Sequence, residues 1–280
     1  MIATRNSEDN DTALPFPILL NHFYLVLDSV TYSAVECDRF LRGEFAVSEQ
    51  RTTVRTDRTY TGLYFYGVNT YFEFFDVAKE PGHRAGDSGI AFGVEQPGAI
   101  NSLQSRLGAD PPILVTRQSG KIQGPWFFML KTLNHPLESG MSSWIMEYHP
   151  RFLAEWHPKG NESGISRRQI LQRYAVILRA QPAPTYFQDV TEITLAAEKE
   201  VTTCLVEHCK LFGYRFHNDG ETAILEGLDI GLRLVPETSA RRGVQQITFR
   251  VSSVPHQTVF HFGPKSVLRF HDNGTATWVF

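Results

Sequence analysis

Hydrophobic and polar positions follow two different periods in the first part of the chain. Leu19–Asp28 (LLNHFYLVLD) is rich in β-branched and aromatic side chains, which predicts a strand. From Ser29 to Ala46 apolar residues recur every three or four positions, as on one face of a helix. Three more strands are predicted, at 51–58, 60–66 and 70–77. These residues therefore predict one β-α-β-β-β unit.

The same order of elements follows a second time. Residues 89–95 predict a strand, and Pro97 lies where the first turn of a helix tolerates proline. The helical stripe and the last three strands are predicted at Ile100, Leu103 and Leu107, and at 113–117, 125–131 and 142–148. Sliding one unit on the other places His22 against Gly89 and Glu73 against Glu147, and loop length accounts for the different offsets.

Residues beyond 150 repeat the pattern less completely. Ser166 and Gln169 have capping-box spacing at the start of a linking helix. A third unit is predicted from a strand at 190–197, a helix at 198–212 and strands at 223–225 and 230–235. A strand at 247–251 opens a fourth unit, which ends in a hairpin around Asn273-Gly274 and leaves no room for a helix.

These elements predict an α+β fold of tandem βαβββ modules that form a curved mixed sheet, or cup, with a degenerate second pair of modules. The division that follows is a disordered tail at 1–18, paired modules at 19–150, a helical linker at 151–185 and the degenerate pair at 186–280. The last segment is expected either to cover the cup or to form a homodimer surface.

Composition narrows the class of protein. Of 280 residues, 42% are hydrophobic and 12% aromatic, so a substantial core is available. The net charge is −3 and no basic stripe is present, which argues against nucleic-acid binding. The longest apolar runs are too short for a membrane span, and a polar start with three cysteines favours a cytoplasmic location.

Tandem units with Asn21-His22-Phe23 in the first strand and Tyr71-Phe72-Glu73 in the last resemble the vicinal oxygen chelate superfamily. That superfamily includes glyoxalase I, extradiol dioxygenases and bleomycin-resistance proteins. The resemblance covers 19–150 well and 186–280 weakly. It implies a divalent metal (Fe, Mn, Ni or Zn) inside the cup, held by strands one and four of each module.

Carried onto this sequence, the resemblance makes His22, Glu73 and Glu147 the metal ligands and Glu147 a catalytic base. The fourth ligand position falls on Gly89, which has no side chain. His149 shares a strand face with Glu147, so it either supplies the missing ligand, acts as the acid or base, or points to solvent.

Two simpler interpretations stay open at this point. Glu73 lies among aromatic residues on both strand faces, where a buried carboxylate is paired, protonated or bound to a cation, and an arginine such as Arg55 or Arg58 would satisfy it without a metal. The predicted pocket walls either bind a flat small molecule or only pack the core; they are Tyr24, Tyr64, Tyr66, Trp126 and Phe128.

The preferred hypothesis is a metal-dependent lyase, isomerase or dioxygenase that acts on a small oxygen-bearing substrate. The alternative is a metal-free protein that binds or sequesters a small molecule, as bleomycin-resistance proteins do. A third hypothesis is an interaction domain with no small-molecule site. Metal analysis of the protein separates the first hypothesis from the other two.

Overall fold

Two curved eight-stranded sheets account for most of the chain. A computed structural model describes residues 14–119, 122–133, 140–156, 166–178 and 185–280. The strands of the first sheet are β1 (Leu19–Leu27), β2 (Val47–Val54), β3 (Thr59–Tyr66), β4 (Tyr71–Asp76), β5 (Ser88–Gly93), β6 (Ile113–Ser119), β7 (Ile122–Lys131) and β8 (Met141–Tyr148). Those of the second sheet are β9 (Phe187–Ala197), β10 (Arg215–Asp219), β11 (Thr222–Glu226), β12 (Gly231–Pro236), β13 (Gly243–Val251), β14 (Val259–Phe262), β15 (Ser266–His271) and β16 (Thr275–Val279).

The helices flank these sheets and join their strands. They are α1 (Ser29–Cys37), α2 (Ala99–Leu107), α3 (Pro150–Trp156), α4 (Arg167–Leu178) and α5 (Lys199–Leu211). Within the described ranges, each helix is too short or too polar to span a bilayer. The helix predicted at 29–46 is interrupted, because the Asp38 carboxylate caps the backbone N–H of Leu41 at 2.8 Å and starts a separate π-helical turn, Leu41–Phe45.

The strand order confirms the predicted fold class. The first sheet runs β2-β3-β4-β1-β5-β8-β7-β6, and the second runs β10-β11-β12-β9-β13-β16-β15-β14. In the first sheet β1 lies parallel to β4 and antiparallel to β5, while β5 lies parallel to β8. Each half of that sheet is therefore one βαβββ module, and the two modules meet at the central pair β1–β5.

The fourth module lacks a helix, as predicted, and the absence reverses its strands. In the other modules a crossover helix returns the chain to the starting end of the sheet, so the last strand lies parallel to the first. Here a short connection leads directly from β13 to β14, the outermost strand of the second sheet. Because no helix returns the chain to the starting end, β14 runs back, and β16 lies antiparallel to β13. The third module is more complete than predicted, since β10 supplies the strand that the sequence analysis missed.

A shared aromatic core joins one face of the first sheet to one face of the second. Trp278 of β16 is fully buried, and its ring lies 5.2 Å from Phe74 and 6.1 Å from Phe72 of β4. The predicted tail boundary at residue 18 is too late, because Phe16 and Ile18 are buried in this core; residues 1–13 lie outside the described part.

Polar contacts also connect the two sheets. The buried Asp189 carboxylate of β9 accepts hydrogen bonds from the backbone N–H of Asn69 at 2.7 Å and of Thr70 at 3.1 Å, in the turn between β3 and β4. On the opposite side, Arg242 donates from Nε to Asp87 Oδ1 at 2.7 Å. Residues of the second sheet thus bind the turn before β4 and the loop before β5 in the first sheet.

Candidate functional site

The first sheet has one face that points away from the shared core, and this face is called the inner face below. It carries a cavity of about 420 Å³. On β1 the side chains alternate: His22 and Tyr24 line this cavity, whereas Phe23 and Leu25 pack in the shared core. The other lining residues are Arg55, Asp57, Arg58, Tyr60, Tyr71, Glu73, Phe75, His83, Asp87, Trp126, Phe127, Met129, Lys131, Leu133, Gly140, Met141, Ser142, Ser143, Trp144 and Met146.

His22 and Glu73 meet in this cavity, as the sequence predicts. In the parallel pair β1–β4, Tyr24 is the register partner of Glu73 and His22 that of Tyr71, so all four side chains share the inner face. The Nε2 atom of His22 lies 3.7 Å from Oε1 of Glu73, and both residues are buried. Nδ1 of His22 donates to Oδ1 of Asn21 at 2.9 Å, which leaves the Nε2 lone pair directed to the cavity side.

Burial controls the charge of this pair. Loss of solvent raises the pKa of Glu73 to about 7, although the guanidinium groups of Arg51 and Arg58 oppose the rise. Loss of solvent, together with the nearby Arg51, lowers the pKa of His22 to about 3. At neutral pH the imidazole is therefore neutral, and the carboxyl is present in both of its protonation states.

The corresponding positions of the second module contain no ligand. Gly89 on β5 takes the place of His22, and Trp144 on β8, the register partner of Ala91, takes the place of Glu73. A Cβ at residue 89 would overlap the Tyr24 ring and lie 2.9 Å from the Trp144 ring. The Tyr24 hydroxyl is held by Ser142 Oγ at 2.7 Å, so these two rings fill the space that a ligand would need.

Glu147 lies on the opposite face of the sheet, which corrects the predicted ligand set. Its carboxylate oxygens accept hydrogen bonds from the backbone N–H of Gly98 at 2.7 Å and of Ile100 at 3.0 Å, at the start of α2. The sequence offset placed Glu147 opposite Glu73, but the strand register places Trp144 there, three residues earlier. A slip by an odd number of residues moves a side chain to the other face of a strand.

His149 and Phe128 also lie away from the cavity. Nδ1 of His149 accepts from the backbone N–H of Arg151 at 3.1 Å, and its ring packs 5.3 Å from that of Phe128. Phe128 is the register partner of Glu147 and shares its face. The predicted wall residue Trp126 does line the cavity, together with Phe127 in place of Phe128.

Tyr64 and Tyr66 lie on the inner face but outside the cavity, because α4 covers that end of the cup. Leu171 of α4 packs with both tyrosines, and the rings of Tyr66 and Tyr174 stack at 4.9 Å. Arg167 at the start of the helix donates from Nη1 to Asp229 Oδ2 of the second half at 2.6 Å. The predicted linking helix, whose capping box is confirmed by the contacts between Ser166 and Gln169, therefore fills the end of the cup next to Tyr64 and Tyr66.

The inner face does not fit a chelated divalent metal. Zinc and iron centres in proteins use at least three side-chain ligands. His22 and Glu73 offer two, and no third histidine, cysteine or carboxylate in the described part of the chain joins them to form a metal-binding group. Asp87, another carboxylate of the lining, is bound instead by Arg242 and by Nδ1 of His83 at 3.2 Å.

Several cavity residues escaped the sequence analysis. Tyr71 and Phe75 share the strand period of Glu73, so alternation alone could have identified them. Arg58, considered above only as a partner of Glu73, lies in the turn between β2 and β3, and Lys131 ends β7; at such positions no period indicates which way a side chain points. His83 enters the lining from a loop that carries no motif.

Comparison with known proteins gives a family and a fold. A model of a family of unknown function, DUF5829, matches residues 20–280. No curated protein matches the sequence significantly. A hypothetical protein from Staphylococcus aureus is similar in structure, with a TM-score of 0.50, 12% identity, and coverage of 81% of this chain and 88% of that one.

Structures with lower scores include oxygenases. An extradiol ring-cleaving dioxygenase from B. fuscum has a TM-score of 0.44 and 11% identity, over 96% of this chain and 74% of that one. A xylose isomerase-like TIM barrel/4-hydroxyphenylpyruvate dioxygenase fusion protein has a TM-score of 0.46 and 11% identity, over 85% of this chain and 37% of that one.

Proposed function

The chain belongs to the DUF5829 family, and we propose that it binds a small, flat molecule in the inner-face cavity without a metal ion. The observation that carries this proposal is the pair of residues at the positions of the second module that correspond to His22 and Glu73 in the first. Gly89 and Trp144 stand where a second module would need ligands, and the Tyr24 ring covers the glycine. The alternative deduced from sequence, metal-free binding, is therefore favoured over metal-dependent catalysis.

The shape and lining of the cavity support a flat ligand. About 420 Å³ lies within the range of small-molecule sites. Tyrosine, phenylalanine and tryptophan rings supply seven of the 22 lining residues, including Tyr60, Tyr71, Phe75, Trp126 and Trp144. Faces and edges of such rings attract a planar π-system more strongly than an aliphatic chain of equal size.

The polar floor gives the ligand an orientation. A neutral Glu73 carboxyl both donates and accepts hydrogen bonds, and the free Nε2 of His22 accepts one. Both groups are buried, so a ligand that fails to satisfy them loses affinity. A hydroxyl or amine on the inner edge of the ring suits this pair.

The direct test is a titration with 2-naphthol. Binding is measured by quenching of tryptophan fluorescence, since Trp126 and Trp144 line the cavity. We expect saturable binding, weakened about fivefold in Trp144→Ala, because the lost ring contact is worth about 1 kcal/mol. Met129→Ala is a second cavity variant in case Trp144→Ala folds poorly. Val279→Ala, on the exposed face of the second sheet, is the matched control and should bind like wild type.

Metal analysis of the same protein, purified without chelator, addresses the rival hypothesis. Near-stoichiometric metal that is lost in His22→Ala and Glu73→Ala would overturn the metal-free proposal and favour the lyase, isomerase or dioxygenase. Absence of naphthol binding at millimolar concentration would overturn small-molecule binding at this site.

A further inference from the structure

The cations and carboxylates of the cavity lining are not paired one to one. Two of its carboxylates already have cationic partners: Asp57 takes a two-pronged contact from Arg55 at 2.8 and 2.7 Å, and Asp87 is bound by Arg242. Asp87 is buried, whereas the Asp57 side chain is 57% exposed, and each is neutralised by its arginine. What a ligand meets is set by the charged groups that remain.

Arg58 and Lys131 are the remaining cations. In the part of the chain that the structure describes, neither forms an ion pair with a carboxylate. Both side chains are exposed at their outer ends, from the turn between β2 and β3 and from the end of β7, so they stand at the mouth of the cavity. Counted with Arg242 and its second partner Glu237, at 2.9 Å, the charges of the lining balance when Glu73 is ionised and leave one excess positive charge when Glu73 is protonated.

Arg58 is also held in place. Its guanidinium lies 4.4 Å from the centre of the Tyr60 ring, which itself lines the cavity. A guanidinium stacked on an aromatic face keeps its N–H groups free at the edge, where they can donate in pairs to a carboxylate. Glu80 also interacts electrostatically with Arg58, but it forms no ion pair with it, is buried and does not line the cavity.

We propose that the ligand is an aromatic carboxylate, with its ring between the aromatic walls and its carboxylate at the mouth on Arg58, assisted by Lys131. This inference rests on the proposed function, since it specifies the class of molecule that the same cavity binds. It assigns the inner edge of the ring to Glu73 and His22 and the outer, charged end to the mouth.

Three probes of one shape test the charge preference: 2-naphthoate, 2-naphthol and 2-naphthylmethylammonium, each titrated by tryptophan fluorescence. We expect naphthoate to bind at least tenfold more tightly than naphthol, and the ammonium compound most weakly. Raising NaCl from 50 to 500 mM should weaken naphthoate binding and leave naphthol binding unchanged, because the mouth is exposed to solvent.

Variants at the mouth locate the contact. Arg58→Gln should weaken naphthoate binding about tenfold without affecting naphthol, while Arg58→Lys should restore part of the loss. Lys131→Gln should have a smaller effect of the same kind. Arg84→Gln is the matched control, since Arg84 is an exposed arginine nearby that does not line the cavity.

The outcomes separate this inference from the proposed function. Equal affinity for naphthoate and naphthol, or an Arg58→Gln variant that binds naphthoate like wild type, would overturn the carboxylate assignment and leave small-molecule binding intact. Failure of all three probes to bind would overturn both.

Discussion

The two sheets have the same strand order but use their second faces in opposite ways. Each sheet gives one face to the shared aromatic core. The remaining face of the first sheet is aromatic, buried and partly covered by α4. The matching face of the second sheet carries half-exposed polar residues, and Thr194 and Arg233 are paired there as Tyr24 and Glu73 are paired in the first.

The comparison separates what the fold provides from what the side chains provide. Both sheets supply a curved surface with the same strand arrangement. Only the first combines buried titratable groups with aromatic walls and a cavity, so the capacity to bind a small molecule comes from the inner-face residues and not from the βαβββ topology. Substitutions on matching faces therefore test how far the two halves differ.

The largest effect is expected where the halves are least separable, in the shared core. Phe72→Ala should lower the free energy of unfolding by about 3–5 kcal/mol, because it removes a fully buried ring between the sheets. Urea denaturation should show one transition at lower denaturant. Val279→Ala, 41% exposed, is the control. Two transitions, with only one shifted, would mean that the halves fold independently.

Next in size is a pH effect confined to the first sheet. The pKa of Glu73 rises from 4.5 to about 7 on folding, so the folded state holds this proton more tightly and stability falls as pH rises through that interval. Glu73→Gln should abolish about 3 kcal/mol of this loss, measured by urea denaturation between pH 5 and 8.

Histidine 22 acts in the other direction. Its pKa falls from 6.5 to about 3 on folding, so the unfolded chain binds the proton first and stability is lost as pH falls below 6.5. Wild type and Glu73→Gln share this acid limb. Tyr71→Phe, whose hydroxyl has a pKa well above 10, should keep the wild-type pH dependence as control. An unchanged slope in Glu73→Gln would show that the carboxyl stays solvated.

A smaller effect is expected at Glu147, which serves a helix that the fourth module does not have. Glu147→Ala should cost about 1–2 kcal/mol, since two N–H groups at the start of α2 lose their acceptor. Binding of 2-naphthol should persist. Glu155→Ala, which removes an exposed ion pair with Arg151, should change stability by less than about 0.5 kcal/mol. Loss of naphthol binding in Glu147→Ala would contradict its placement behind the sheet.

The smallest effect belongs to the polar face of the second sheet. Thr194→Ala should change the free energy of unfolding by no more than about 0.5 kcal/mol, because the residue is half-exposed and contacts no cavity. Its counterpart Tyr24→Ala should be clearly less stable and should bind 2-naphthol poorly. Equal thermal midpoints for the two variants would erase the proposed difference between the faces.

Alternation and element order predict much of this molecule. The repeat of strands and helices was sufficient for the fold class, whereas the pairing of His22 with Glu73 was predicted from the family resemblance and not from strand period, which does not relate two strands to each other. The missed strand β10 (RFHND) is a polar, exposed edge strand, where burial leaves no alternating signal.

Errors in the site arose where register departs from sequence spacing. Glu147 was misplaced by three residues between repeats. Phe128 was exchanged for Phe127 because the ladder between β6 and β7 shifts next to Pro125, which has no N–H to donate. Cross-strand register of this kind depends on long-range pairing, and no local pattern records it.

The glycine beneath Tyr24 has a consequence for how this cavity can change over time. A histidine at residue 89 would fit only after Tyr24 and Trp144 were replaced by smaller residues. Either replacement alone would leave a void beside the buried Glu73 carboxyl. Each single-step route toward a metal centre therefore passes through a damaged intermediate. Single substitutions at Arg58 or Lys131 should therefore change ligand preference far more easily than any single substitution creates a metal site beside His22 and Glu73.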